Sequence, residues 1–182
     1  MNRLTTLWFR GAVATGLDRS ISAVSSATRT HRYRVDGSTD EDLLWIEAQG
    51  REETGGPISN LSFTGGEIFT FDLARDVGVT LASAAPWLYL VHTDIPADII
   101  DDFNAWYDQE HLPRLVRVPG VERARRYVAD PGLSPRYLTA YDISIKDAFE
   151  SPQGLKARKT PWTERMRSLF QNTRRKMCVL QR

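Results

Sequence analysis

A chain of 182 residues, 41% of them hydrophobic, has material for one generous domain or two small ones around an ordinary buried core. Its 24 Lys and Arg against 23 Asp and Glu leave a net charge of +1, which supplies no global field for nucleic acid or anionic lipid and suits a neutral or weakly charged organic partner. The single cysteine, Cys178, excludes an internal disulfide and a cysteine-based metal site, in keeping with a reducing, cytoplasmic setting.

In chain order, residues 4–10 are the first expected strand. Arg10 closes the apolar stretch Leu7-Trp8-Phe9, a charge foreign to the apolar part of a secretory leader. No run of eighteen uncharged apolar residues occurs anywhere, so no helix is expected to cross a membrane. A shortened helix is expected over 17–26, a hairpin from 30–35 and 43–48, and a closing strand over 68–73. Residues 52–66 are rich in Gly, Ser, Thr and Asn and read as loop. Gly55-Gly56 and Gly65-Gly66 lack the Lys-Ser/Thr of a phosphate loop and the strand-to-helix setting of a dinucleotide site.

The second half is more regular. Residues 87–93 are short, aromatic and branched, as a buried strand should be. Asp94 is placed to cap a helix with Pro96 and Asp98 in its first turn. Ile99, Ile100, Phe103, Trp106, Tyr107 and His111 recur at spacings of three and four along one face, and Pro113 stops or bends the helix. Pro119-Gly120 marks a turn, 121–128 and 137–143 are strands, and Asp130-Pro131-Gly132 between them predicts a hairpin. Residues 149–160 read as irregular or partly helical, 161–170 as a second helix and 174–180 as a last strand.

Strand, helix, strand, strand, helix, strand is the ferredoxin-like order. The first half repeats it in worn form, with Arg32-Tyr33 corresponding to Arg126-Tyr127. The expected fold is therefore α+β, a ferredoxin-like barrel of two tandem halves, 1–84 and 85–182, forming one barrel-like unit. Such a doubling makes physical sense, because one ferredoxin-like unit covers a single sheet face with helices and leaves the other needing a partner.

The string Asp102-Phe103-Asn104-Ala105-Trp106-Tyr107-Asp108-Gln109-Glu110-His111-Leu112-Pro113, then Val118-Pro119-Gly120-Val121 and Ala124-Arg125-Arg126-Tyr127, then Arg136-Tyr137-Leu138-Thr139-Ala140-Tyr141-Asp142, resembles the EthD-like branch of the dimeric α/β-barrel superfamily over about 87–143. The resemblance implies cofactor-free monooxygenases, polyketide cyclases, lactone isomerases, dehydratases and haem-binding enzymes as relatives. It also implies a hydrophobic, often aromatic, small molecule held between the sheet and the helices. The first half departs from the pattern, since nothing in it matches Trp-Tyr…Glu-His.

His111 is the leading chemical group. Tyr107 precedes it by four residues and Asp108 by three, so both are expected on its side of the helix. Asp108 would fix the tautomer and raise the basicity of the ring as general acid or base. The competing use of His111 is a helix cap ahead of Leu112-Pro113. Trp106 and Tyr107 serve either as core or as ligand contacts.

Alternation places His92 with Leu88 and Leu90, where it either pairs with His111 as a second acid or base or is a satisfied core histidine. Tyr137 and Tyr141 share a strand face and, with Arg126 and Tyr127, are candidates for holding a carbonyl, phenol or carboxylate. His31, between basic residues on a strand, is expected to be exposed. Three scattered histidines provide no zinc spacing, and Arg174-Arg175-Lys176 lacks the interleaved aromatics of a nucleic-acid site.

The expectation is a small enzyme needing no cofactor or metal, acting on a hydrophobic, aromatic or polyketide-like metabolite by proton transfer of the cyclase, isomerase or lyase type. Nucleic acid and membrane are not expected partners, and a homodimer is. The alternatives are a non-catalytic small-molecule binder, a cofactor-free monooxygenase, and a haem protein with His111 or His92 as axial ligand.

Overall fold

The computed structural model describes residues 2–10, 28–49 and 66–181. The helix expected over 17–26 and nearly all of the loop over 52–66 lie outside these. Eight strands are described: β1 Asn2–Arg10, β2 Thr28–Val35, β3 Glu41–Gln49, β4 Gly66–Gly78, β5 Trp87–Asp94, β6 Val121–Ala129, β7 Tyr137–Ile143 and β8 Gln171–Leu180.

They close into a barrel in the order β1-β3-β2-β8-β5-β7-β6-β4, every pair antiparallel. Within it β1 to β4 run β4-β1-β3-β2 and β5 to β8 run β8-β5-β7-β6, the same ferredoxin-like arrangement twice. The seams are β2 with β8 and β4 with β6, so each set closes the edges of the other and, among the described residues, no strand edge stays open to aggregation. Tyr33 on β2 and Tyr127 on β6, at corresponding positions, both face the barrel lumen.

Alternation along the strands separates two apolar layers. Trp8, Trp45, Phe71, Leu90, Leu138 and Tyr127 fill the lumen. On the outside of β5 to β8, Val91, Tyr137, Tyr141 and Ile143 pack under helices. β7 is buried along its whole length because it is covered on both faces.

The helical layer begins with a 3₁₀ turn, Ala97–Ile99, followed by α1, Ile100–Trp106, one π turn, Tyr107–His111, and α2, Leu112–Leu115. After β7 come a 3₁₀ turn, Ala148–Glu150, then α3, Pro152–Arg158, and α4, Pro161–Ser168. The segment read from sequence as irregular or partly helical thus contains a capped helix. Ser151 Oγ accepts from Gly154 N–H at 3.0 Å, and Pro152 sits in the first turn, where its missing N–H does no harm.

Asp94 does not cap the first helix. Its carboxylate accepts instead from Ser134 Oγ at 2.6 Å, Arg136 N–H at 2.6 Å and Asn172 Nδ2 at 2.8 Å, tying the β6–β7 connection to β8. Gly120 turns the chain from α2 into β6 at φ +89°, and a Cβ there would lie 2.6 Å from Ile145 Cβ, so the position demands glycine.

Candidate active site

Pro113 shapes the site. It has no N–H to offer the carbonyl four residues back, and its ring crowds that carbonyl, so an ordinary α turn cannot pass through it unchanged. The chain responds with a wider turn in which Leu112 N–H reaches the Tyr107 carbonyl, five residues back, and the helix then continues to Leu115. His111 is therefore not a terminal cap. The wider turn keeps Tyr107 and His111 on the buried face and rotates Asp108 away from both. The Asp108 carboxylate is partly exposed and points toward Arg75 Nε at 3.8 Å, so the expected Asp108–His111 relay is not formed.

The imidazole of His111 lies on the indole of Trp106, with centroids 4.1 Å apart, and meets the Tyr107 ring edge-on at 5.4 Å. Trp106 is held in turn by donating Nε1–H to Thr163 Oγ1 on α4 at 3.2 Å, and the Tyr107 hydroxyl accepts from Thr139 Oγ1 at 3.0 Å. His111 Nδ1 is enclosed without a hydrogen-bond partner. Burial, followed by the positive charges of Arg167, Arg158 and Arg114, pushes the imidazole pKa down to about 3. His111 is thus a neutral, water-poor imidazole at physiological pH.

From the sheet side, Tyr141 and Tyr89 face His111 across a small cavity, about 30 Å³, closed by Phe149. These three rings form a cluster, Tyr89–Phe149 at 5.4 Å, Tyr141–Phe149 at 5.2 Å and Tyr89–Tyr141 at 6.1 Å. Burial raises the Tyr141 phenol well above its ordinary range, so it is a hydrogen-bond donor and not a phenolate. Arg158, Arg167 and Arg175 line the same cavity. Arg158 Nη2 donates to the Phe149 carbonyl at 2.6 Å and to Glu150 at 3.1 Å, whereas Arg167 and Arg175 are solvent-exposed and, among the described residues, have no carboxylate partner.

Of the residues singled out in the sequence, His111, Trp106, Tyr107 and Tyr141 therefore converge. Arg126 and Tyr137 lie to one side. Arg126 is buried, donates to Asn104 Oδ1 at 2.7 Å and stacks on Phe103, Tyr107 and Tyr137 at 4.6, 4.7 and 5.2 Å, a fixed position beneath the helix instead of an arm in the cavity.

Tyr127 and His92 are on the other side of the sheet. Tyr127 joins a lumen network in which Arg125 engages Asp142 at 2.7 and 2.9 Å, Glu47 and the Tyr127 hydroxyl. His92 is packed in the lumen between Trp8 at 5.9 Å, Phe69 at 5.9 Å and Phe71 at 6.1 Å. Burial, then Arg174, takes its pKa down to about 4, and its Nε2 has no partner. A β-sheet separates it from His111, so of the two uses open to it the acid and base pair is not formed and His92 is a core histidine, though with Nε2 unsatisfied. His31 is half-buried at the lumen mouth and not freely exposed.

Sequence reading missed Tyr89, Phe149 and the three arginines. Tyr89 was legible from alternation, since it shares a face with Val91. The arginines come from α3, α4 and β8, and no local signal joins them. Among the described residues, no three His, Cys, Asp or Glu side chains are grouped to hold a metal ion, and no helix is long and apolar enough to cross a membrane.

Haem does not fit the residues present. His111 Nδ1 lacks the acceptor that orients a metal-bound imidazole.

No family model matches the chain, and no curated protein matches it. Solved structures do. An anthrone oxidase-like protein superposes with a TM-score of 0.67 at 13% identity, over 100% of this chain and 92% of the other. A ferredoxin-fold protein from Listeria monocytogenes, related to antibiotic biosynthesis monooxygenases, gives 0.67 at 11% identity, over 100% and 96%. A chlorite dismutase variant from Candidatus Nitrospira defluvii gives 0.71 at 11% identity, over 100% and 92%. The chain has the fold of the dimeric α/β barrels.

Proposed function

We propose that the chain is a small enzyme of this fold that removes a proton from a hydrophobic aromatic metabolite, with His111 as the base and without a cofactor. The observation that carries the reading is the imidazole of His111, stacked on Trp106 and sharing one cavity with an aromatic cage and the Tyr141 phenol. An acidic C–H beside a carbonyl gives its proton to His111. The electron pair passes to the carbonyl oxygen, and the Tyr141 O–H is placed to donate to that oxyanion. The positive rim, which adds to burial in keeping His111 unprotonated, also favours the anion formed. Isomerisation, cyclisation or elimination follows from that intermediate.

Admitting a ring requires the Phe149–Arg158 edge to move off Tyr141, because the resting cavity is smaller than a benzene ring. The halves 1–84 and 85–182 serve as the internal pair of the barrel, with this site in the second half. The string from Asp102 to Pro113 favours the EthD-like branch as its place in the superfamily.

Incubation of the protein with a panel of aromatic ketones in D₂O, followed by proton NMR, tests the reading. Deuterium enters beside the carbonyl with the native protein and does not with His111→Ala, which retains ligand binding. Exchange unchanged in His111→Ala overturns the assignment, and binding without any exchange marks a carrier.

The names of the neighbours favour a second outcome of the same first step, reaction of the carbanion with dioxygen. Oxygen uptake during turnover separates it from the non-oxidative reactions.

A further inference from the structure

We infer that the ligand held beside His111 is an aromatic acid, with its ring among Trp106, Tyr141 and Phe149 and its carboxylate on Arg167 and Arg175. The inference rests on reading this cavity as the ligand site and adds the ligand's charge.

Apart from Glu164, which is exposed on α4 and makes no ion pair among the described residues, the acids near the cavity are already committed. On α1 and its π turn, Asp102 accepts from Trp162 and Arg165, Asp108 faces Arg75, and on the same turn Glu110 accepts from Thr160 Oγ1 at 2.6 Å. Glu150 is taken by Arg158. The other nearby cations also have partners. Arg114 donates to the carbonyls of Ala157 and Lys156, and Arg126 to Asn104.

β8 shows the asymmetry most directly. Its alternation sends Arg174 and Lys176 to the lumen side, where Glu67 meets the first at 2.6 Å and Glu41 the second at 3.1 Å. Arg175, between them, goes to the helix side and meets no acid. Arg167 joins it from α4, its own charge disfavoured first by partial burial and then by Arg158 and Arg175. Two guanidiniums that repel one another at the mouth of an aromatic cavity are satisfied together by a bidentate anion.

The larger cavity at the lumen mouth behaves differently. There, in about 260 Å³, buried Arg125 is satisfied by Asp142 and Glu47, Arg123 reaches the exposed Asp76, and Arg29 is left at the rim without an ion pair among the described residues. A neutral aromatic would leave Arg167 and Arg175 unmatched, and a simple inorganic anion would leave the aromatic cage unused. An aromatic carboxylate uses both. Its negative charge would also offset the arginines around His111 and make the imidazole more basic when the ligand is present.

The test compares 2-naphthoate with 2-naphthamide, a near-isosteric neutral probe, by calorimetry at low salt, with sulfate as a third arm. Naphthoate is expected to bind about tenfold tighter than naphthamide or better. That preference should shrink with added salt, because the rim is exposed, and vanish in Arg167→Gln/Arg175→Gln. Bound naphthoate should raise the apparent pKa of His111 followed by nitrogen NMR.

Equal affinity for the two probes, no binding of naphthoate, or a preference that survives in the double variant overturns the inference. So does sulfate binding with no added affinity for naphthoate. The two proposals fail separately. Loss of deuterium exchange in His111→Ala with no anion preference leaves the base and removes the aromatic acid, and the converse result does the opposite.

Discussion

The imidazole of His111 lies flat on the indole of Trp106, centroids 4.1 Å apart and planes at 27°, and Trp106 is itself anchored to Thr163 across the helical layer. A base held this way depends on its neighbour's position. Trp106→Phe removes the anchor and part of the stack. It should lower stability by about 1–2 kcal/mol in urea unfolding and reduce proton exchange more than tenfold, because the imidazole is no longer positioned. A variant with native exchange rates would show that the stack is only packing.

The histidines set an acid dependence of stability. Free histidine in the unfolded chain takes its proton near pH 6.5, whereas His111 refuses it until about pH 3 and His92 until about pH 4. Between those limits the unfolded state binds more protons, so stability rises with pH across the window and is lost as pH falls from about 6.5 toward 4. Each histidine adds about 1.4 kcal/mol per pH unit to the slope. Urea unfolding from pH 7 to 4.5 should show the slope, and His111→Gln should reduce it by one proton's worth.

The same shift governs the rate. With free-enzyme His111 neutral far below pH 6.5, kcat/KM should not fall on the acid side between pH 7 and 5. An acid limb centred near pH 6.5 would mean that the base is a solvated histidine elsewhere.

Pro113 is predicted to matter for position more than for stability. Pro113→Ala restores an N–H and allows the π turn to rewind, which would turn His111 relative to Trp106. Thermal unfolding should change little while exchange activity falls at least tenfold. Full activity in this variant would remove the π turn from the account.

Arg125 pins the lumen by joining Asp142 and Glu47, one from each half of the chain. Arg125→Met leaves two carboxylates facing each other in a buried space and should destabilise by about 3–5 kcal/mol. Adding Asp142→Asn and Glu47→Gln should recover much of that loss in the same unfolding experiment.

Some of this site was legible in sequence because it depends on local periodicity. Tyr137 and Tyr141 share a face, His92 goes with Leu88 and Leu90, and Trp106, Tyr107 and His111 share a buried helix face, all as spacing predicts. Asp108 was misplaced because a three-residue spacing was read as an α turn, and the π turn changes the angle. Asp94 was misread as a cap because its three partners come from the β6–β7 connection and β8, far along the chain.

The sequence by itself determined the order of the elements, the apolar faces and the candidate base, since alternation, helical spacing and Pro113 act over a few neighbouring residues. Only the tertiary structure decided which face of each strand looks into the barrel, that His92 and His111 stand on opposite sides of the sheet, and that Arg158, Arg167 and Arg175 gather around one cavity. The physical reason is closure. Once β2 meets β8 and β4 meets β6, inside and outside become different solvents for side chains, and a distinction that no short window contains is imposed on every strand at once.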